Sequence, residues 1–340
     1  MDSPTYGKWS DKPGARQAVE KAKQTLELVF HSPVPIQIEV RLFSFKKWKK
    51  GKDFSSVLAY TINDGNRKWG NVINNTTTSF MIKDAWYPRC LAERLQGAEF
   101  TPGHWGPALI YFNVDQDFSF ALSPPLIGLN YMLVGVAMHE ILHVMGFGTT
   151  AKRGDRDIII SLYGKDPMEF FIKNSSGGAM ASRPVSGQSL EDFVQSDDLG
   201  FTGNAAKREN SGVPVPIHAP PIFVSGKSCQ HIKEGTYPIG SNNSLMEPDI
   251  AKGYFYEHMG EVGVAMMNDI GWKAILGIDK LSLSENQIKV FPVPCKLGNP
   301  IQFEFGNLEN EINKIELIDQ YGVSTLLPKP VSGETYCASP

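Results

Sequence analysis

Apolar positions recur at helical spacing over residues 15–29, where Ala18, Ala22, Leu26 and Val29 fall on one side. That pattern predicts an amphipathic helix. After Pro35 the period shortens to that of a strand. Ile36, Ile38, Val40 and Leu42 share one face, while Gln37, Glu39 and Arg41 share the other. This alternation predicts a strand with one side on the core and one side wet. Residues 57–62 and 108–112 read as further strands. The run 131–138 is apolar throughout and predicts a buried helix that continues into His139. A last helix is expected over 257–269. Between these, residues 149–240 are rich in Gly, Pro, Ser and Asn and predict a loop-dominated lower lobe and cleft wall. After Trp272 the character changes. Residues 281–283, 288–291, 301–305 and 315–318 alternate like strands, punctuated by glycine and proline. The expected fold class is α+β, with a large unit over 1–273 and a small antiparallel β module over 274–340.

Composition narrows the partners. A chain of 340 residues has room for one large domain and a small one. Its net charge of −3 argues against nucleic acid, which calls for a broad basic surface. The dense basic cluster at 46–52 lies between strand-like runs and reads as a solvated hairpin tip. Cys90, Cys229, Cys295 and Cys337 allow two disulfides in three pairings, and the even count fits an exported protein. No apolar run reaches transmembrane length. Residues 1–10 are polar and lack the apolar core of a signal peptide, so the chain is expected to be a mature form. The turn 113–117 holds Asp115 and Asp117 and is a weak Ca2+ candidate, since two carboxylates fall far short of a full oxygen cage.

Chemistry concentrates at His139-Glu140-Ile141-Leu142-His143. On a helix, residues four apart lie on one face, so both imidazoles point at one spot. Glu140 can then reach a water held there. The plain alternative is a pair of surface histidines, but the apolar flanks carry these rings inside, and a buried imidazole needs a partner. The spacing is that of zinc-dependent proteases. Gly146 follows where the helix must stop and the chain must turn. A catalytic zinc takes three protein ligands and keeps a place for water. Thr149 stands where a short pattern would put the third histidine. On the residues alone, His218, His231, His258, Glu169 and Glu191 all remain open as that ligand. His31 and His104 read as structural or exposed. In such a site the zinc activates a water and Glu140 serves as general base.

Residues 139–147 read H-E-x-x-H-x-x-G-F, and Ser244-Leu245-Met246-Glu247-Pro248 resembles the Met-turn of metzincins. With His231 ahead of that turn, the set resembles the leishmanolysin-like metzincins, which carry a long insertion before the third histidine. Residues 201–206 and 212–216 resemble the run before that histidine, and 261–272 resembles the closing helix. The resemblance spans residues 20–272 and departs at Cys229-Gln230-His231-Ile232, where the family has a Ser-His-Trp-like context. It implies a two-lobed fold with the cleft near residue 146. It further implies zinc ligation by His139, His143 and His231, Glu140 as the base, Met246 beneath the metal, and hydrolysis of protein or peptide substrates outside the cell or at its surface. Residues 290–294 and 314–322 resemble the C-terminal sorting modules of the type IX secretion pathway, a generic β appendage being the plainer reading. Two other functions stay open: an inactive metzincin-fold binding protein, and a His2Glu protease using Glu169 or Glu191.

Overall fold

The computed structural model describes residues 6–47, 56–63, 66–68, 82, 84–100, 108–124, 128–154, 157–160, 164–272, 288–291, 300–305, 315–318, 324–327 and 335–337. Among them are seven α-helices and several small sheets, a mixed α and β architecture. No helix among the described residues is long and apolar enough to cross a membrane. Contacts divide the chain into two compact units, Met1–Ile275 and Leu276–Pro340.

The helical periodicity at the start becomes α1, Ala15–Glu27, which buries Ala15, Ala18, Ala22 and Leu26. Small alanines along one face let a neighbouring helix approach closely. That neighbour is α3, Leu133–Val144. The period-2 run becomes the strand Ile38–Phe43. Leu42 is buried, and Ile36, Ile38 and Val40 pack half-buried on the core. The main sheet has four strands in the order Tyr6–Gly7, Ile38–Phe43, Ala108–Asn113, Ala59–Ile62. Ile38–Phe43 and Ala108–Asn113 run parallel, and Ala59–Ile62 closes the edge antiparallel. α3 lies against Ala59–Ile62 and Ala108–Asn113. It is therefore covered by α1 and by the sheet, which is why its sequence is apolar nearly all round.

The turn after Ala108–Asn113 is a clamp. Asp115 accepts from Ser44 Oγ at 2.9 Å and from Lys46 N at 3.0 Å. Buried Asn113 donates through Nδ2 to Val57 O at 2.8 Å and accepts through Oδ1 from Phe45 N at 3.3 Å. This turn carries no cation-ligand group of three among the described residues. The carboxylate of Asp115 is spent on protein donors. Most of the basic cluster at 46–52 lies outside the described residues, as does the strand expected at 281–283.

α2, Arg89–Gln96, precedes the main-sheet strand Ala108–Asn113. Beyond α3, residues 149–240 are more ordered than their composition predicts. They contain α4, Pro167–Phe171, α5, Gln188–Val194, and α6, Asn204–Glu209. A three-stranded antiparallel sheet joins Ile172–Asn174, Leu199–Phe201 and Val215–Ile217. The last helix, α7, is Glu261–Ile270, later than the expected start at Glu257. The cause is Asn243, whose Oδ1 accepts from Val262 N at 3.1 Å and caps the helix from outside its own segment. Asp269 of α7 accepts from Ala205 N at 3.0 Å and Ala206 N at 2.8 Å, tying the start of α6 to α7.

In the second unit, Pro300–Phe305 pairs antiparallel with Ile288–Phe291 on one side and Thr335–Cys337 on the other. Ile315–Ile318 pairs antiparallel with Ser324–Leu327.

Candidate metal centre

α3 carries His139, Glu140 and His143, and every residue from Leu133 to Leu142 is buried. The helix stops in a left-handed cap. Gly146 has φ +104, a conformation that side chains disfavour. Phe147 N donates to Leu142 O at 2.9 Å and Gly146 N to His143 O at 3.1 Å, the paired bonds of a Schellman turn. The turn folds the chain back so that Phe147 O stands 2.6 Å from His143 Nδ1.

His231 arrives on the segment after the Val215–Ile217 strand. Main-chain bonds fix its course. His218 N donates to His231 O at 2.9 Å, Ile232 N to Met246 O at 2.9 Å, and Lys233 N to Pro216 O at 2.9 Å. Just before it, buried Cys229 takes a positive φ of 64.

The three rings converge. His139 Nε2 lies 3.0 Å from His143 Nε2 and 3.1 Å from His231 Nε2, and the last pair is 3.1 Å apart. Each Nδ1 faces a main-chain carbonyl. The oxygens are Leu245 O at 2.8 Å from His139, Phe147 O at 2.6 Å from His143, and Lys227 O at 3.0 Å from His231. A carbonyl only accepts, so each Nδ1 carries the hydrogen and each Nε2 is left with a bare lone pair. Three lone pairs at this separation repel one another unless a cation sits among them. A tetrahedral ion with metal–nitrogen bonds of about 2.0–2.1 Å holds its ligand nitrogens about 3.3 Å apart, close to what is seen here. The donor set therefore fits a metal ion, and these three histidines are close enough to bind one.

Burial holds the rings in the form a metal needs. It lowers the pKa of His139 to about 3, with a further push from His143 and an opposing one from the Leu245 carbonyl. It lowers His143 to about 4, against the Phe147 carbonyl. His231 is depressed well below the ordinary value, first by burial and then by the other two rings. Neutral imidazole is the ligating species.

No family model, curated protein or solved structure matches the chain. The chemistry of the centre is thus read from its own atoms.

The turn at 244–248 braces two of the three ligands. Leu245 O holds the ring of His139, and Met246 O accepts from Ile232, next to His231. Met246 itself is buried. Glu247, also buried, accepts from Gly235 N at 3.0 Å and Tyr237 N at 2.9 Å, fastening the chain after His231 to the turn. Glu140 is buried beside the triad on α3. Burial raises its carboxyl to about 7, and the Thr61 hydroxyl opposes that rise. Thr61 Oγ1 donates to Glu140 Oε2 at 2.5 Å.

The other ligand candidates stand elsewhere. Glu169 accepts from Thr150 N at 2.8 Å and Thr150 Oγ1 at 2.6 Å. Glu191 accepts from Ile158 N at 3.2 Å. The ring of His258 accepts from Asn242 Nδ2 at 2.9 Å, and His218 contributes its backbone to the His231 segment. Among the described residues the histidine triad is the one group of three or more ligand side chains. The two-disulfide reading needs correction, because Cys90 and Cys229 are buried thiols outside any disulfide. Cys90 Sγ donates to Val144 O at 3.0 Å, away from the ring nitrogens. Cys295 and His104 lie outside the described residues. Sequence reasoning missed Thr61 and the three carbonyls. Nothing local marks them, because each acts only through chain segments that folding brings together.

Proposed function

We propose that this protein is a zinc-dependent endopeptidase of metzincin type, similar to the leishmanolysins, that hydrolyses protein or peptide substrates outside the cell. The observation that carries this reading is the convergence of three bare Nε2 lone pairs, with an ionisable carboxyl next in sequence to the first ligand. His139, His143 and His231 would hold the ion. When bound, zinc supplies a Lewis acid that brings the pKa of a coordinated water toward neutrality and polarises a carbonyl. Glu140, buried beside the triad and held by the Thr61 hydroxyl, is placed for proton exchange with a water at the centre. It takes a proton from the attacking water and returns it to the departing amine as the carbon–nitrogen bond breaks. The carbonyls of Leu245, Phe147 and Lys227 fix the tautomer of each ring, so no proton competes for the ligating nitrogens. In this reading the turn at 244–248 is the Met-turn and residues 149–240 form the lower lobe. The Leu276–Pro340 unit is then either a sorting module for export or a β appendage that binds substrate or stabilises the enzyme.

Glu140 is outside the ligand set, so metal and activity should part company at that position. Glu140→Gln is expected to keep one zinc per chain and to lose at least about 100-fold in cleavage of denatured casein. Elemental analysis and a chelator-controlled casein assay measure both. Zinc-loaded wild-type protein that cleaves nothing in that assay would turn the reading toward an inactive binding protein.

A further inference from the structure

We infer that Thr61 is a positioning residue for Glu140, an inference that rests on the peptidase reading and names a part that its motif does not contain. Thr61 lies on the edge strand Ala59–Ile62, opposite Ile110 of the next strand. Side chains alternate along a strand. Tyr60 and Ile62 are exposed, while the Thr61 hydroxyl is turned to α3. It stands 2.5 Å from Glu140 Oε2 and 3.2 Å from Glu140 O. The hydroxyl has one hydrogen, and the shorter, charge-assisted contact to the carboxylate takes it.

This contact does two things. It fixes the torsions of a three-carbon side chain that would otherwise swing, so the carboxylate is held in place before substrate arrives. It also commits Oε2. Among the described residues no other side chain donates to Glu140, so Oε1 is the oxygen left to receive a proton from water. Just past the end of the strand, Asn63 Nδ2 donates to His143 O at 3.4 Å. The strand and the residue after it thus register the base and one metal ligand together.

The test compares wild type, Thr61→Val, Thr61→Ser and Glu140→Gln, each loaded with one zinc. Valine keeps the shape and removes the donor, whereas serine keeps the donor. For Thr61→Val, kcat is expected to fall by about 10–100-fold, the worth of a charge-assisted hydrogen bond, with KM, zinc content and melting temperature unchanged. Thr61→Ser is expected to keep kcat within about threefold of wild type, since it retains the donor. A second readout is independent of turnover: the infrared carboxylate band of Glu140, isolated by subtracting the Glu140→Gln spectrum. It should shift in Thr61→Val and stay in place in Thr61→Ser. An unshifted band in Thr61→Val, or a kcat within about twofold of wild type, overturns the inference, as does a loss that serine fails to rescue. A shifted band in a protein whose wild type cleaves nothing supports the contact and overturns the peptidase reading instead.

Discussion

His231 differs from the other two ligands in how it reaches the centre. His139 and His143 are placed by one turn of α3, whereas His231 depends on a loop path pinned at His218, Pro216 and Met246. Its ring is still one of three equal donors. His231→Ala is therefore expected to lose zinc on dialysis against a mild chelator under conditions where His218→Ala and His258→Ala keep it; retention by His231→Ala would break the three-donor picture. The same rings set an acid limit on the metal-free protein. Unfolded histidine titrates near pH 6.5, about where a solvated imidazole does. In the fold, His143 is lowered to about 4 and His139 to about 3. Between pH 6.5 and those values the unfolded chain binds protons that the folded chain refuses, so stability falls as pH falls through that window. In EDTA the stability of wild type relative to His143→Asn should fall from pH 7 to pH 5, a difference that cancels the opposite slope of the raised Glu140 carboxyl; a difference flat over that range contradicts the buried, neutral assignment of His143. At this scale the H-E-x-x-H pair was legible because helical spacing is a local rule. His231 was legible only through resemblance to a longer pattern. Thr61 was invisible, since nothing near it in sequence says that its strand will lie on α3.

Elements with a clean period were the readable ones. α1 follows its alanine and leucine spacing, and Ile38–Phe43 follows its alternation. The parallel pairing of Ile38–Phe43 with Ala108–Asn113 was not readable, because it joins segments far apart in the chain. The reading from Glu257 starts α7 four residues early, whereas the resemblance over 261–272 begins where the helix does; its cap comes from Asn243 and not from its own flank. α3 contains a further constraint that its apolar run conceals. Glycine inside a helix is disfavoured relative to alanine, so Gly135, in the first turn of α3, calls for an explanation. A Cβ there would stand 2.8 Å from the ring of Tyr256, which is itself buried. A buried ring does not swing out into solvent, so one of the two must shift inside the core. Gly135→Ala is accordingly expected to destabilise the protein by about 1–3 kcal/mol despite its better helix propensity, measured by urea unfolding. A gain in stability would show that Tyr256 can retreat.

Trp272 shows how the larger unit is locked together. Its indole nitrogen donates to Met145 O at 2.7 Å, and its ring meets Phe30 edge-on at 6.0 Å. Arg94 of α2 lies 5.9 Å from the same ring and donates to Gly271 O at 2.8 Å. One fully buried side chain thus joins the end of α7, the chain after α1, α2 and the cap of the metal helix. Trp272→Ala is expected to cost about 3–5 kcal/mol, a larger drop in melting temperature than Gly135→Ala gives. It should also weaken zinc retention, because Met145 belongs to the turn that sets Phe147 O on His143. Full zinc affinity in a strongly destabilised variant would uncouple the two. The run 261–272 that resembles a closing helix ends on this tryptophan, but nothing in it says which distant segments the ring will join. The rings themselves are aimed by peptide oxygens and, among the described residues, by no acidic side chain. Every amino acid brings a carbonyl, so a side-chain change at Leu245, Phe147 or Lys227 does not by itself delete those three guides. What can reset them is a change that reroutes the backbone, such as a proline, an insertion or the loss of a packing residue like Trp272, so those three positions are free to vary in side chain while the centre keeps its aim.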